Sequence, residues 1–196
     1  EFMGLYSSYK GHKNQVHDFY FLRLAEYEGQ PVDFDVSLFG TRWKGQWESW
    51  LWDFEGGYQF GSYGAAEQSA GFATLGLGHV WDKQRLKPTL WVYYDWASGD
   101  RDPGDGTHGT FNQLFPLAHK YFGYCDLVAR QNIRDFNVLL TAQPDKKINL
   151  LLWWHVFSLD QARDALYNAA GAPIRIDPTG AAGRYVGQEI DLTLQY

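Results

Sequence analysis

One cysteine, Cys125, stands in a chain of 196 residues, which rules out an intramolecular disulfide and any paired-cysteine metal or redox centre. No run approaches the roughly 18 consecutive apolar residues of a membrane-crossing helix; the greasiest stretch, 148–159, is short and interrupted by Asn149 and His155. Glu1 is followed by no basic, apolar and small-residue succession, so no secretory leader is read there, and the chain reads as mature or as a fragment. Positive charge is also short: the formal net charge of -6 argues against a nucleic-acid partner. The six histidines form no HExxH frame or i, i+4 pair, which removes the usual zinc patterns. Neither a GxSxG elbow nor a phosphate-cradling glycine loop is present.

Aromatic residues are abundant, at 18% of a chain that is 45% hydrophobic, and they alternate. In 50–60, Trp50, Trp52, Phe54, Tyr58 and Phe60 share one parity with Gly56, while Asp53, Glu55 and Gln59 share the other. Successive side chains of a strand point to opposite faces, so one face is aromatic and the other carries carboxylates and an amide. Two environments fit: a soluble sandwich with the aromatic face inside, or a membrane barrel with that face on lipid and the acids on a wet lumen.

Similar runs cover 2–10, 16–27, 33–43, 70–81, 89–97, 136–143, 150–157 and 189–196, about nine strands with the first described. Gln30-Pro31 and Lys44 to Ser49 read as breaks, and 161–170 carries a loose helix-like apolar patch. Gly71, Gly76 and Gly78 interrupt an otherwise apolar strand, as where a barrel wall bends or packs closely. Short turns near 44, 83 and 145 contrast with long excursions over 98–127 and 160–184, the inequality expected of outer-membrane barrels.

The first excursion contains GTFNQLFPLAHKYFGY (109–124) within 99–133, and the end of the chain contains LYNAAGAPIRIDP (166–178) and GRYVGQEIDLTLQY (183–196). These segments resemble the alginate export family of outer-membrane β-barrels, and TRWKGQW, WLWDFEGGYQFG and PTLWVYYDWASGD resemble it less specifically. The resemblance implies an all-β, antiparallel, up-and-down transmembrane barrel without a cofactor. It implies a passive outer-membrane porin or exporter for an anionic, alginate-like polysaccharide or another solute, with the outer-membrane bilayer and periplasmic export machinery as partners. Family barrels have about 18 strands, so 1–196 is expected as one domain forming the C-terminal-side portion of a longer barrel, or else a small closed one. A carbohydrate-binding β-protein without transport is the alternative, and a polysaccharide-degrading enzyme the third reading.

Candidate lumen residues follow from charge and parity. Guanidinium matches a uronate carboxylate as a planar, permanently charged fork, which points to Arg130, Arg134 and Arg42, with Lys120 beside them, as an anion-selecting constriction; rim charges paired with nearby acids are the plain alternative. Asp53, Glu55, Asp95, Glu189 and Asp191 have lumen parity, and two such carboxylates could also serve glycoside hydrolysis. His155 reads as a polar lining residue, and Trp91 and Trp153 as platforms for sugar rings or as space-filling rings. Asp100, Asp102 and Asp105 before Gly106 resemble a loose calcium loop, though not an EF-hand.

Overall fold

A computed structural model describes residues 1–26, 32–117 and 119–196; the break expected at Gln30-Pro31 lies outside them. The chain forms β1 (Phe2–Tyr9), β2 (Gln15–Glu26), β3 (Phe34–Trp47), β4 (Trp50–Tyr63), β5 (Ala66–Val80), β6 (Thr89–Ala97), β7 (Thr107–His108), β8 (Ile133–Asp145), β9 (Ile148–Leu159), β10 (Leu166–Tyr167), β11 (Pro173–Arg175) and β12 (Tyr185–Gln195). Nine of these make one antiparallel sheet in the order β1-β2-β3-β4-β5-β6-β8-β9-β12, with β7 attached to β5 and β10-β11 a separate pair. Apart from the crossing of β7, every strand neighbours the next in sequence, the up-and-down arrangement. Among the described residues β1 and β12 each pair on one side only, so the sheet stays open.

The strands run longer than their alternation suggests. β3 continues through Trp47, and the expected turn at 44–49 shrinks to Glu48 and Ser49, with Glu48 in the left-handed region at φ 52. Cross-strand pairing to β4 carries the ladder that far, because Trp47 faces Trp50 in register. No helix forms at 161–170, where turns and β10 occupy the chain instead. Asp160 and Asp164 there accept local and long-range hydrogen bonds that a helical backbone would have to give up.

Register decides everything about the faces. Directly paired residues share a face, and β3 to β9 align Arg42, Glu55, Thr74, Asp95, Asp135 and Phe157 in one row on the inner face. The neighbouring inner row is Lys44, Asp53, Gly76, Tyr93, Asn137, His155 and Glu189. The opposite face aligns Trp43, Phe54, Leu75, Tyr94 and Phe136, then Trp52, Leu77, Val92, Val138, Trp154 and Ile190. That apolar face is the exposed one: Leu75, Leu77, Leu192 and Leu194 all stand more than half exposed, while Asp95, Asp135, Asn137, His155 and Asp191 are buried. A water-soluble sandwich would do the reverse. The described residues contain no helix long and apolar enough to cross a membrane.

The connections at 10–14, 48–49, 81–88 and 146–147 lie at one end of the sheet, and the other end carries the two-residue turn at 64–65 and the long segments 98–132 and 160–184. Segment 98–132 folds onto the inner face, where Phe111, Phe122 and Val128 join Tyr20, Leu38, Phe72, Ile133 and Phe157 in the core.

Because the outer face is apolar by register, Leu75→Arg is expected to cost about 2 kcal/mol or more in refolding stability in lipid vesicles, the range for a cation near the midplane of a barrel wall. Denaturant titration in a bilayer measures it, and a neutral result would show that this face does not meet hydrocarbon.

Candidate functional site

The inner face is held by pairs of opposite charge. Arg42 on β3 donates Nε to Asp53 Oδ1 at 2.7 Å and Nη2 to Oδ2 at 2.5 Å, a bidentate fork, with Glu55 3.9 Å away. Glu55 also accepts the Tyr20 hydroxyl at 2.8 Å. Arg130 reaches in from segment 98–132, donating to Thr74 Oγ1 at 2.9 Å and to Asp95 Oδ1 at 3.1 Å. Its guanidinium lies over the rings of Phe72, Tyr121 and Phe122 at 5.2 to 5.5 Å, so one cation joins the loop to the wall by charge and by stacking. Thr74 donates to Asp95 at 2.6 Å, Asn137 to Asp135 at 2.8 Å, and the Trp153 indole to Asn137 at 2.8 Å; His155 Nδ1 lies 2.8 Å from Asp135. His155 Nε2, Asp135 Oδ1 and Asp191 Oδ2 are buried without a hydrogen-bond partner among the described residues.

Two cavities lie between loop and wall. The larger, ≈ 360 Å³, runs past Tyr6, Tyr20, Arg42, Phe115, Tyr121 and Arg130. The smaller, ≈ 200 Å³, brings together Arg42, Lys120 and Arg130 with Asp53, Glu55, Asp95 and Trp153. Three of the four cations expected at a constriction therefore converge. Arg134 does not: it shares the outer row with Trp96, and both donate to Asp160 at the strand end. Its position in β8 is even where the lumen positions are odd, so the pleat turns it away.

Trp91 and Tyr93 lie on the inner face, their rings stacked at 5.1 Å. They lie flat over Gly78 and Gly76, where any Cβ would run into the rings, so those glycines serve close packing as their place in the strand suggested. Trp153 is buried, with its ring 4.4 Å from His155, and offers no open stacking face. Glu189 and Asp191 face inward on β12; Glu189 accepts the Cys125 amide at 2.8 Å and anchors the loop. Asp100, Asp102 and Asp105 do not gather as ligands. Each carboxylate instead accepts an amide two residues on, from Asp102, Gly104 and Thr107, and no group of three potential ligands suited to a metal occurs among the described residues.

Several residues that hold the loop were not singled out by sequence. Gln59 Nε2 donates to Asn112 O and its Oε1 accepts the Asn112 amide; Gln68 donates to Thr110 O. Asp164 accepts the Asp100 amide and the hydroxyls of Thr110 and Tyr167. Burial opposes the charge of Asp160, but the Arg134 guanidinium, the Trp96 indole, the Gly99 amide and Gln161 hold its carboxyl below the usual range. Burial likewise pushes the His108 imidazole down, against the carboxylates of Asp100 and Asp164. The available signal was parity for Gln59 and Gln68; nothing local points to partners more than 40 residues away.

An apolar outer face, a charged inner face and a loop clamped across it by an arginine are a transport wall in form, and the comparison of the sequence agrees. The Alginate export family matches residues 1–196. The chain belongs to that family. No curated protein matches the sequence. Alginate export proteins form an outer-membrane transport family, which gives this chain a general role in polysaccharide export.

Asp160 supplies a pH dependence. Its folded pKa is depressed, so the stabilisation it gives to loop docking is present above the ordinary carboxylate range, near pH 4, and is lost as pH falls through the lower folded value. Relative to its intrinsic rate, which itself slows in acid, hydrogen exchange at the Gly99 amide should quicken on acidification below that range. Asp160→Asn should quicken it about tenfold at neutral pH; unchanged protection would show that Asp160 does not hold the loops.

Proposed function

We propose that this chain forms part of the wall of an outer-membrane channel through which an anionic polysaccharide diffuses passively, with segment 98–132 narrowing the lumen. The observation that carries this reading is the convergence of Arg42, Lys120 and Arg130 on one cavity along the inner wall. A uronate carboxylate passing there meets fixed guanidinium donors. Asp53, Glu55 and Asp95 share the site and keep those cations from acting as bare charges. Trp91 and Tyr93 supply an aromatic surface for pyranose faces. His155, Glu189 and Asp191 line the far side of the same inner face, and the calcium reading of Asp100, Asp102 and Asp105 plays no part.

The strand directions support a wall larger than this sheet. Eight successive antiparallel pairings separate β1 from β12, so the two edge strands run the same way. Closing the wall with antiparallel pairs alone takes an odd number of further strands, which fits a larger even-stranded barrel of about 18. Direct β1 to β12 closure would require a parallel seam. Periplasmic export machinery would meet the short-turn end.

Single-channel recording in planar bilayers tests the reading. Arg130→Ala should lower anion over cation preference severalfold, and Lys120→Gln should lower it less. Arg134→Ala, on the outer row, should leave it unchanged. Preference indifferent to Arg130→Ala and Lys120→Gln would sink the proposal, as would a monodisperse, folded preparation that needs no detergent.

A further inference from the structure

Charge is segregated along the strands in a way the inner site does not use. Three of the four connections at the short-turn end carry basic residues, Lys10 and Lys13, then Lys83, Arg85 and Lys87, then Lys146 and Lys147, and Lys44 stands on the inner row four residues before Glu48. All eight are exposed, and none is in an ion pair among the described residues. Only Glu48, Asp82 and Asp145 oppose them within these turns, and Asp145 is committed to capping the Lys147 amide. Elsewhere Arg42, Arg130 and Arg134 each sit on a carboxylate, and the exposed Arg101, Arg163, Arg175 and Arg184 at the opposite end share their long segments with Asp100, Asp102, Asp105, Asp126, Asp160, Asp164 and Asp177. The seven of these solvated cations that lie in the turns, at one end of an otherwise acidic chain, are a surface built for an anion.

The outer face beside these turns identifies the anion. Trp47 and Trp50 are 68% and 57% exposed, and Trp43, Tyr9 and Leu86 are exposed in the same end zone. Exposed indoles at the level of exposed lysines combine the interfacial aromatic preference with electrostatic attraction to acidic headgroups. A polymer mouth alone would call for the cations but would leave the outward indoles without a role.

We infer that the short-turn rim is a docking surface for anionic phospholipid, gathering phosphodiester headgroups of the adjoining leaflet around the wall. The inference rests on the outer face meeting lipid, as proposed above, but not on what the lumen carries. Long Lys and Arg stems reach the phosphates while their methylenes stay beside the rings, and the indoles settle at headgroup depth. The surface is electrostatic, so it weakens as salt shortens the Debye length from about 10 Å at 0.1 M to about 3 Å at 1 M.

The full chain reconstituted in phosphatidylcholine vesicles tests this. A minor share of lipid is replaced by brominated phosphatidylglycerol or, in parallel, by brominated phosphatidylcholine, and tryptophan quenching is read. Phosphatidylglycerol should quench at least about twofold more strongly, with the excess falling at 1 M salt. The excess should disappear when Lys83, Arg85, Lys87, Lys146 and Lys147 are all changed to Gln, and shrink in the Lys146→Gln, Lys147→Gln pair, which leaves the eight-residue turn intact. Arg101→Gln with Arg175→Gln, at the opposite end, should retain it. Equal quenching by the two lipids overturns the inference. So does a five-site variant that keeps the lipid excess but slows polyuronate passage, which would assign the rim to the polymer. Quenching needs no transport, so a channel that fails to conduct while enriching phosphatidylglycerol would refute the proposed function and leave this inference standing.

Discussion

The two-residue period of the pleat, kept in register across nine strands, is the constraint on which the remainder of this structure depends. A slip of one residue between β4 and β5 would carry Asp53 and Glu55 to the apolar face and Trp52 and Phe54 into the charged one. Each misplaced carboxylate would have to be buried in hydrocarbon without a partner, which costs far more than any single cross-strand contact returns. Irregularity is confined to places where it does little harm. β8 and β9 shift register between Ala142 and Asp145, beside a short turn, and β12 and β9 shift between Tyr185 and Gly187, at a strand end. Pro144, which cannot donate to a ladder, falls within the first of these.

The wall then acts as a template for the loop. Among the described residues segment 98–132 has only the two-residue β7 as regular structure, and several backbone groups of the loops take their partners from side chains of the wall and of neighbouring segments. Gln59 satisfies both the amide and the carbonyl of Asn112, Glu189 takes the Cys125 amide, and Asn132 donates to the carbonyls of Gln161 and Ala165. Gly123, in the left-handed region at φ 83, leaves room for the Glu189 carboxylate where a Cβ would stand. Inner-face polarity therefore fixes segment 98–132 against the wall and, in the proposed channel, also wets the lumen.

Parity made the wall legible from the sequence. Asp53, Glu55, Asp95, Glu189, Asp191 and His155 fall on the inner face because an alternating strand leaves them no other choice once its aromatic side is outward. The same rule, applied to Arg134, turns it away; position near a signature loop suggested the lumen, and the even place in β8 decides otherwise. Loop placement was not legible. Arg130 meets Asp95 across 35 residues and Gln68 meets Thr110 across 42, and no local pattern encodes such a contact. The helix-like spacing at 161–170 misled for a related reason: Ala165 and Leu166 are apolar because they pack beneath the loop, not because they line one side of a helix.

In the channel proposed above, the pairing of the inner charges governs passage. A ring of uncompensated guanidinium groups would hold a polyuronate by many strong contacts at once, and a polymer bound at every residue does not move. Conduction asks for contacts favourable enough to admit the chain and weak enough to release it. Arg42 on Asp53 and Arg130 on Asp95 meet that demand, because each wall carboxylate competes with the substrate for the same donors. An incoming uronate exchanges one carboxylate for another, so the net gain per contact is small while the directional preference for an anion survives. In such a channel the two arginine–carboxylate pairs serve as neighbouring exchange sites, and a polymer moves on by giving up one such contact as it makes the next.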